Sequence, residues 1–448
     1  MMRLVQSSVV MSVVFGLVNI TASAPPAAQS TTASEFLNVQ QRTPLAPRPR
    51  ITELEHSVLH YDKSTYCGHP RMVGFQDYGD GELVVGHFHA PSKYQVYDDV
   101  RHVSYQSRAV CLFQRSMDGG KTWPQENEQV VFDRVAFFKH PETVMDRTGE
   151  RGQYDMFKPE SMFFSQNMWE LTPPPRRCFL LRSPDKGKTW EKIPSVIKNP
   201  QGDKYAITRH NTPVIRMPDG KTLLASFAMA GLTGDGKETE GEPAVFSSID
   251  QGISWQFLSR PIVDLSRQGQ FIYATLLLLP SGELQCYMVH LSAKGYYPVE
   301  GLRNALAVVS SHDRGKTWSQ PTVISGKGAD AWKNPGKEGH MYRSPWPVLL
   351  KDGQILVLFA RRRMPTGTGG IVSSDGGKTW SEEFIIRDDG KRWNEAKHDQ
   401  GDWGDLGYPV GCQLGDGKIF TAYYFNKDDG HPQGGTRYIA ASTFRIEP

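Results

Sequence analysis

An octapeptide of the form S-x-D-x-G-x-[TS]-W occurs five times in this chain, at Ser116–Trp123, Ser183–Trp190, Ser248–Trp255, Ser311–Trp318 and Ser373–Trp380, with starts 67, 65, 63 and 62 residues apart. Each position has a mechanical use. The Asp carboxylate accepts backbone N–H groups across a tight turn and Gly takes a positive φ. Ser and Thr close the turn, and Trp enters the core of the next strand. Five copies at nearly constant spacing specify a repeated antiparallel β unit. A second signal runs in phase with it: strand, Gly-containing turn, strand, at Gly79–Val85, Met217–Leu224, Leu279–Leu284 and Leu350–Phe359, with a fifth at Leu414–Tyr423 after the last octapeptide. The unit before Ser183 lacks a clear version. Six small sheets follow, the first completed by an N-terminal strand near Ile51–Tyr61. The expected architecture is all-β, a six-bladed β-propeller over residues 51–448, because radial repetition leaves few open strand edges.

Composition narrows the partners. With 51 Lys+Arg against 48 Asp+Glu in 448 residues, the net charge of +3 argues for neither nucleic acid nor an anionic membrane surface. Residues 1–24 read as a signal peptide, with Arg3, the apolar run Val9–Ile20 and the Ala22-Ser23-Ala24 cleavage pattern. Residues 25–50, rich in Pro, Ala, Ser and Thr, read as a flexible leader. The chain is therefore expected to be secreted or periplasmic, without a membrane span. Its five cysteines, Cys67, Cys111, Cys178, Cys286 and Cys412, show neither C-x-x-C nor zinc-finger spacing. They are read as buried small side chains with at most one or two bridges.

The octapeptides resemble the Asp boxes of the Asp-box (BNR-repeat) sialidase superfamily, over roughly residues 55–446. Asp boxes sit on blade peripheries, so the chemistry belongs on the innermost strands, whose entry ends converge on the axis. Counting ten residues back from each hairpin glycine (Gly81, Gly220, Gly282, Gly353, Gly417) gives Arg71, His210, Ile272, Arg343 and Gly407. Nine back gives Met72, Asn211, Tyr273, Ser344 and Tyr408. Charged and aromatic groups aimed at a shared axis are costly unless they meet solvent or a ligand.

The resemblance implies a secreted exo-glycosidase releasing a terminal acidic sugar. Arg71, Arg343 and Arg437 (Arg303 in reserve) would clamp its carboxylate, Tyr408 would attack the anomeric carbon, and Asp99 or neighbouring Asp98 would handle the leaving-group proton. His210 and Tyr273 join them as substrate-binding candidates. Two departures stand out. The segment aligned with the sialidase Glu is Phe271-Ile-Tyr273-Ala-Thr, leaving Asp405 or Glu160 as substitutes, and Gly86-His87-Phe88-His89-Ala90 replaces the acidic-then-Arg segment.

Other residues keep further readings open. His87 and His89 share a strand face, where two metal ligands or an acid/base pair would sit, but no spacing supplies a third ligand, and structural histidines are the plainer reading. At least one of Arg361, Arg362 and Arg363 is expected to face the site. Asp399, Asp402 and Asp405 offer a site rim, a calcium loop or ordinary turns; no cofactor is assignable. Tyr94, Tyr97 and Tyr105 read as a sugar-stacking lid or a blade insertion. Two other functions fit the scaffold: a polysaccharide lyase using His210 with Tyr273 or Tyr408 on a uronate, and a carbohydrate-binding propeller without catalysis.

Overall fold

The computed structural model describes residues 45–139, 151–167, 177–232, 238–263, 269–292, 304–324, 342–362, 365–391 and 404–447. The signal-peptide reading, Arg303, Arg363, Asp399 and Asp402 lie outside them. Six antiparallel sheets follow one another along the chain as the blades of a propeller. Three of their inner strands are continuous: Gly269–Leu278, Tyr342–Leu349 and Gly407–Gln413. In the first blade the inner strand is split into Thr65–Gly68 and Phe75–Asp77 around the one-turn helix Pro70–Val73. In the third it is split into Ile207–Thr208 and Ile215–Arg216. The second blade has three strands, which matches the missing hairpin signal ahead of Ser183. Among the described residues no helix is long and apolar enough to cross a membrane.

One expectation is corrected. The N-terminal strand Arg50–His60 completes the last blade and not the first, pairing antiparallel with Thr436–Glu447. The reason is ring closure: the C-terminal segment supplies three strands of the sixth blade, and the N-terminal segment pairs with the outermost of them and covers its edge. Leu45–Ala46, assigned from sequence to the leader, pairs parallel with Trp380–Ser381 at the fifth blade.

The five octapeptides build one turn. In each, Ser Oγ donates to Asp Oδ1 at 2.7–2.9 Å. The Thr or Ser hydroxyl donates to Asp Oδ2 at 2.5–2.7 Å. The shared glycines Gly120, Gly187, Gly252, Gly315 and Gly377 all have positive φ, and a Cβ on Gly120 would stand 2.6 Å from the Phe420 ring. Glycine is thus required twice over, by conformation and by packing. All five cysteines are free thiols, four of them buried.

Candidate active site

Strand irregularities mark where the inner strands turn their side chains to the axis. The ladder slips between Ile272 and Thr275, between Arg343 and Trp346, and between Gly407 and Val410. Each slip carries one non-glycine residue in the left-handed region: Tyr273 (φ 62°), Ser344 (φ 52°) and Tyr408 (φ 51°). These are the nine-back positions of the repeat comparison. The same irregularity in three blades is a device for re-aiming side chains, as β-bulges are elsewhere. In the first blade His69 (φ 57°) plays this part at the start of the one-turn helix.

The Tyr408 and Tyr273 hydroxyls meet at 2.6 Å, linking the sixth and fourth blades. Arg71 reaches across from the first blade. Its Nη2 donates to the carbonyls of Tyr273 (2.5 Å) and Ala274 (3.1 Å) and to Thr275 Oγ1 (2.7 Å). Arg71 is fully buried, and among the described residues its Nε and Nη1 have no hydrogen-bond partner. Burial pulls its pKa down to about 10, so it remains a cation at neutral pH. His210 lies 5.5 Å from the Tyr273 ring, and burial, then the charges of Arg71 and Arg209, lowers it to about 3. A cleft beside it is lined by Ser226, Ile272 and Ala274.

Arg343 donates to the Tyr342 carbonyl at 2.9 Å, and its charge acts on the Tyr408 phenol. That phenol is nonetheless held well above the usual range, first by burial and then by Tyr273. Arg362 stacks over the Tyr408 ring at 5.4 Å and donates to the Leu406 carbonyl at 2.9 Å. Of the two described members of the Arg361–Arg363 run it is the one that faces the site; Arg361 pairs with Glu383 at 2.6 Å.

Behind the phenol pair lies a network the sequence did not reveal. Asp405 is fully buried and accepts from Tyr66 (2.8 Å), Tyr424 (2.7 Å) and Arg437 Nε (3.2 Å), with His102 Nε2 at 3.7 Å. Burial alone would raise its pKa, but the contact with His102 and the charges of Arg437, His102 and Arg362 hold it well below the carboxylate range. His69 sits between network and phenols, its ring 4.4 Å from Tyr408 and 4.7 Å from His102. Burial, then the neighbouring His102, keeps His69 neutral, and its Nδ1 bonds the Tyr105 hydroxyl.

Of the predicted residues, the structure brings Arg71, His210, Tyr273, Arg343 and Tyr408 together. Arg437 is the buried partner of Asp405, also donating to the Gln433 and Gly435 carbonyls. Asp99 Oδ2 accepts the amides of Gln95 (2.8 Å) and Val96 (3.1 Å), capping a short turn. That turn leads into His102–Gln106, which delivers His102 and Tyr105. Glu160 is exposed, at an Asp-box turn of the second blade. Tyr94 is buried under Arg437 as a blade insertion, its hydroxyl donating to the Thr65 carbonyl at 2.7 Å. His69 and Tyr424 were missed: the first lies off the nine- and ten-back registers, and the second is on a middle strand that reads as core.

The fold is that of a six-bladed β-propeller built from Asp-box blades. The chain belongs to the BNR repeat-like domain family, whose model matches residues 162–421. None of the curated proteins compared with it matches in sequence. Among solved structures it is similar to a Dyadobacter fermentans protein of unknown function, at 18% identity and TM-score 0.62, over 89% of this chain and 99% of that one. It is also similar to the leech intramolecular trans-sialidase solved with 2,7-anhydro-Neu5Ac, at 12% identity and TM-score 0.50, covering 86% and 68%. A Hadza microbial sialidase matches at 17% identity and TM-score 0.48, covering 85% and 65%. At these identities the likeness to the Dyadobacter and leech proteins speaks for the fold.

Proposed function

We propose that this chain is an exported glycosidase that releases a terminal acidic sugar at the axial cluster, with Tyr408 as nucleophile. The observation that carries the reading is the Tyr408–Tyr273 hydroxyl contact of 2.6 Å beside the buried guanidiniums of Arg71 and Arg362. Tyr273 stands where sialidases carry Glu, so a phenol relay takes the place of a carboxylate base. Arg343 and the unbonded edge of Arg71 hold the substrate carboxylate. Tyr408 attacks the anomeric carbon and passes its proton through Tyr273 to His210. The bound carboxylate favours the imidazolium that forms. His102, 41% exposed and backed by the ionised Asp405, protonates the leaving oxygen and afterwards takes the proton of the hydrolytic water. The His210 proton then returns to Tyr408 as the glycosyl–tyrosine bond breaks.

A second reading is favoured by a specific observation. Among the described residues, no carboxylate hydrogen-bonds the Tyr408 or Tyr273 hydroxyl, while the neutral imidazoles of His69 and His210 flank them. A uronate lyase needs such a base for the C5 proton. Incubation with sialosides and uronate-containing polysaccharides separates the readings. A reducing sugar without new ultraviolet absorbance supports the hydrolase; an absorbing unsaturated product defeats it in favour of elimination. Binding without any product defeats both.

A further inference from the structure

We propose that His60, Cys67 and His89 form a binding site for a divalent transition-metal ion, zinc foremost, at the seam where the propeller ring closes. His60 ends the strand Arg50–His60 of the sixth blade. Cys67 lies on the first blade's inner strand and His89 is its register partner on the adjoining strand Leu83–Pro91. One donor atom from each falls within 4.8 Å of the others. A tetrahedral zinc ion with bonds of ~2.0–2.3 Å sets its donors about 3.3–3.8 Å apart, a closure of roughly 1 Å within reach of side-chain rotation.

The surroundings suit a cation. His60 Nδ1 lies 3.3 Å from Glu128 Oε1, which Gln114 Nε2 also holds at 2.8 Å. Gln114 Nε2 also lies 3.2 Å from His60 Nδ1; with Nδ1–H donating to the carboxylate, the ring presents its Nε2 lone pair, the arrangement found behind metal-bound histidines. Among the described residues, His60 Nε2 and His89 Nδ1 are both buried without a hydrogen-bond partner. The charges of Asp62 and Glu128 act on His89. Cys67 is fully buried whereas both imidazoles are partly exposed, giving an approach from solvent. Burial holds the Cys67 thiol at about 12, so binding must displace its proton to solvent as the metal–sulfur bond forms. Zinc, cobalt and copper bind thiolate strongly enough to do so; magnesium and calcium prefer oxygen.

The full chain, stripped with chelator and titrated with Co2+ and then Zn2+, tests this. One Co2+ per chain with a thiolate-to-metal charge-transfer band, displaced by Zn2+, is expected, together with a higher Tm. Cys67→Ser should remove the band, His89→Ala should weaken affinity at least about 100-fold, and Glu128→Gln about 10- to 100-fold. Thermal unfolding of the apo variants checks the fold, and His89→Ala serves alone where Cys67→Ser does not fold. No saturable binding, a band that survives in Cys67→Ser, or unchanged affinity in His89→Ala overturns the site. None of these readouts involves glycan cleavage, so they stand or fall apart from the axial reading.

Discussion

Two histidine clusters flank the inner strand of the first blade, and the residues around them give them opposite characters. At the axial end, His69 and His102 stand with Asp405, and one donor atom from each again falls within 4.8 Å of the others. Here, however, Arg437 and Arg362 share the carboxylate at 3.2 and 3.8 Å, and two phenols donate to it. Two guanidiniums beside one carboxylate repel a metal cation and favour an anionic ligand. At the seam, His60 and His89 face a thiol and carboxylates. Proximity of histidines is the same in both places; the sign of the second layer decides what each can hold.

Tyr408→Phe breaks the axial half most sharply. It should lower kcat at least about a thousandfold and leave metal binding at the seam unchanged, as read by product release and by Co2+ titration of one preparation. Asp405→Asn strikes the network behind it. Leaving Arg437 and Arg362 buried without their counter-ion should cost about 3–5 kcal/mol in denaturant unfolding; a loss below about 1 kcal/mol would mean the carboxylate is not their partner in solution. Arg71→Lys keeps the charge but gives up the guanidinium whose Nη2 reaches three acceptors of the fourth blade. A loss of about 1.5–3 kcal/mol is expected, with discrimination against neutral sugars reduced in competition assays.

Acid sharpens the comparison. The folded pKa values of His69, His87, His89 and His210 all lie below the ordinary value of 6.5, chiefly through burial. The unfolded chain therefore binds more protons below about pH 6.5, so these groups' contribution is complete above that pH and is lost as pH falls toward their folded values. Stability measured from pH 8 downward should be level to about pH 6.5 and then decline. Zinc, whose binding releases the Cys67 proton, should raise stability at neutral pH and steepen the decline, and a profile rising on acidification would contradict the neutral assignment. The smallest effect expected is on catalysis by His89→Ala: glycan cleavage within about twofold of the parent, with the zinc-induced rise in Tm abolished.

Much of this was legible in the sequence because the chain compares itself with itself. The Asp boxes and hairpin glycines gave the blade period, and the nine-back register landed on Tyr273 and Tyr408, which touch. The register did not show that those positions are strand irregularities with positive φ. Nor did it reveal His69, which lies on a split strand where counting from Gly81 passes it by. Asp405 was visible as one of three loop aspartates and as a stand-in for the missing Glu, but not as the buried counter-ion of Arg437, since nothing local separates such a residue from a turn residue. Arg437 illustrates the converse. Its sequence position suited a clamp, but its guanidinium is held by Asp405 and by carbonyls that only the folded sixth blade brings near.

Turn chemistry and alternation act over a few residues, so the sequence alone determined the blade, its repetition and the strand ends that carry polar side chains. Which charges meet depends on ring closure, which joins residues hundreds of positions apart: Arg50–His60 to Thr436–Glu447, Arg71 to Tyr273, Tyr66 to Asp405. Only the tertiary structure therefore decided that one histidine cluster is surrounded by guanidiniums and the other by a thiol and carboxylates. Coulomb interactions and desolvation depend on distance through space and on burial, neither of which spacing along the chain records.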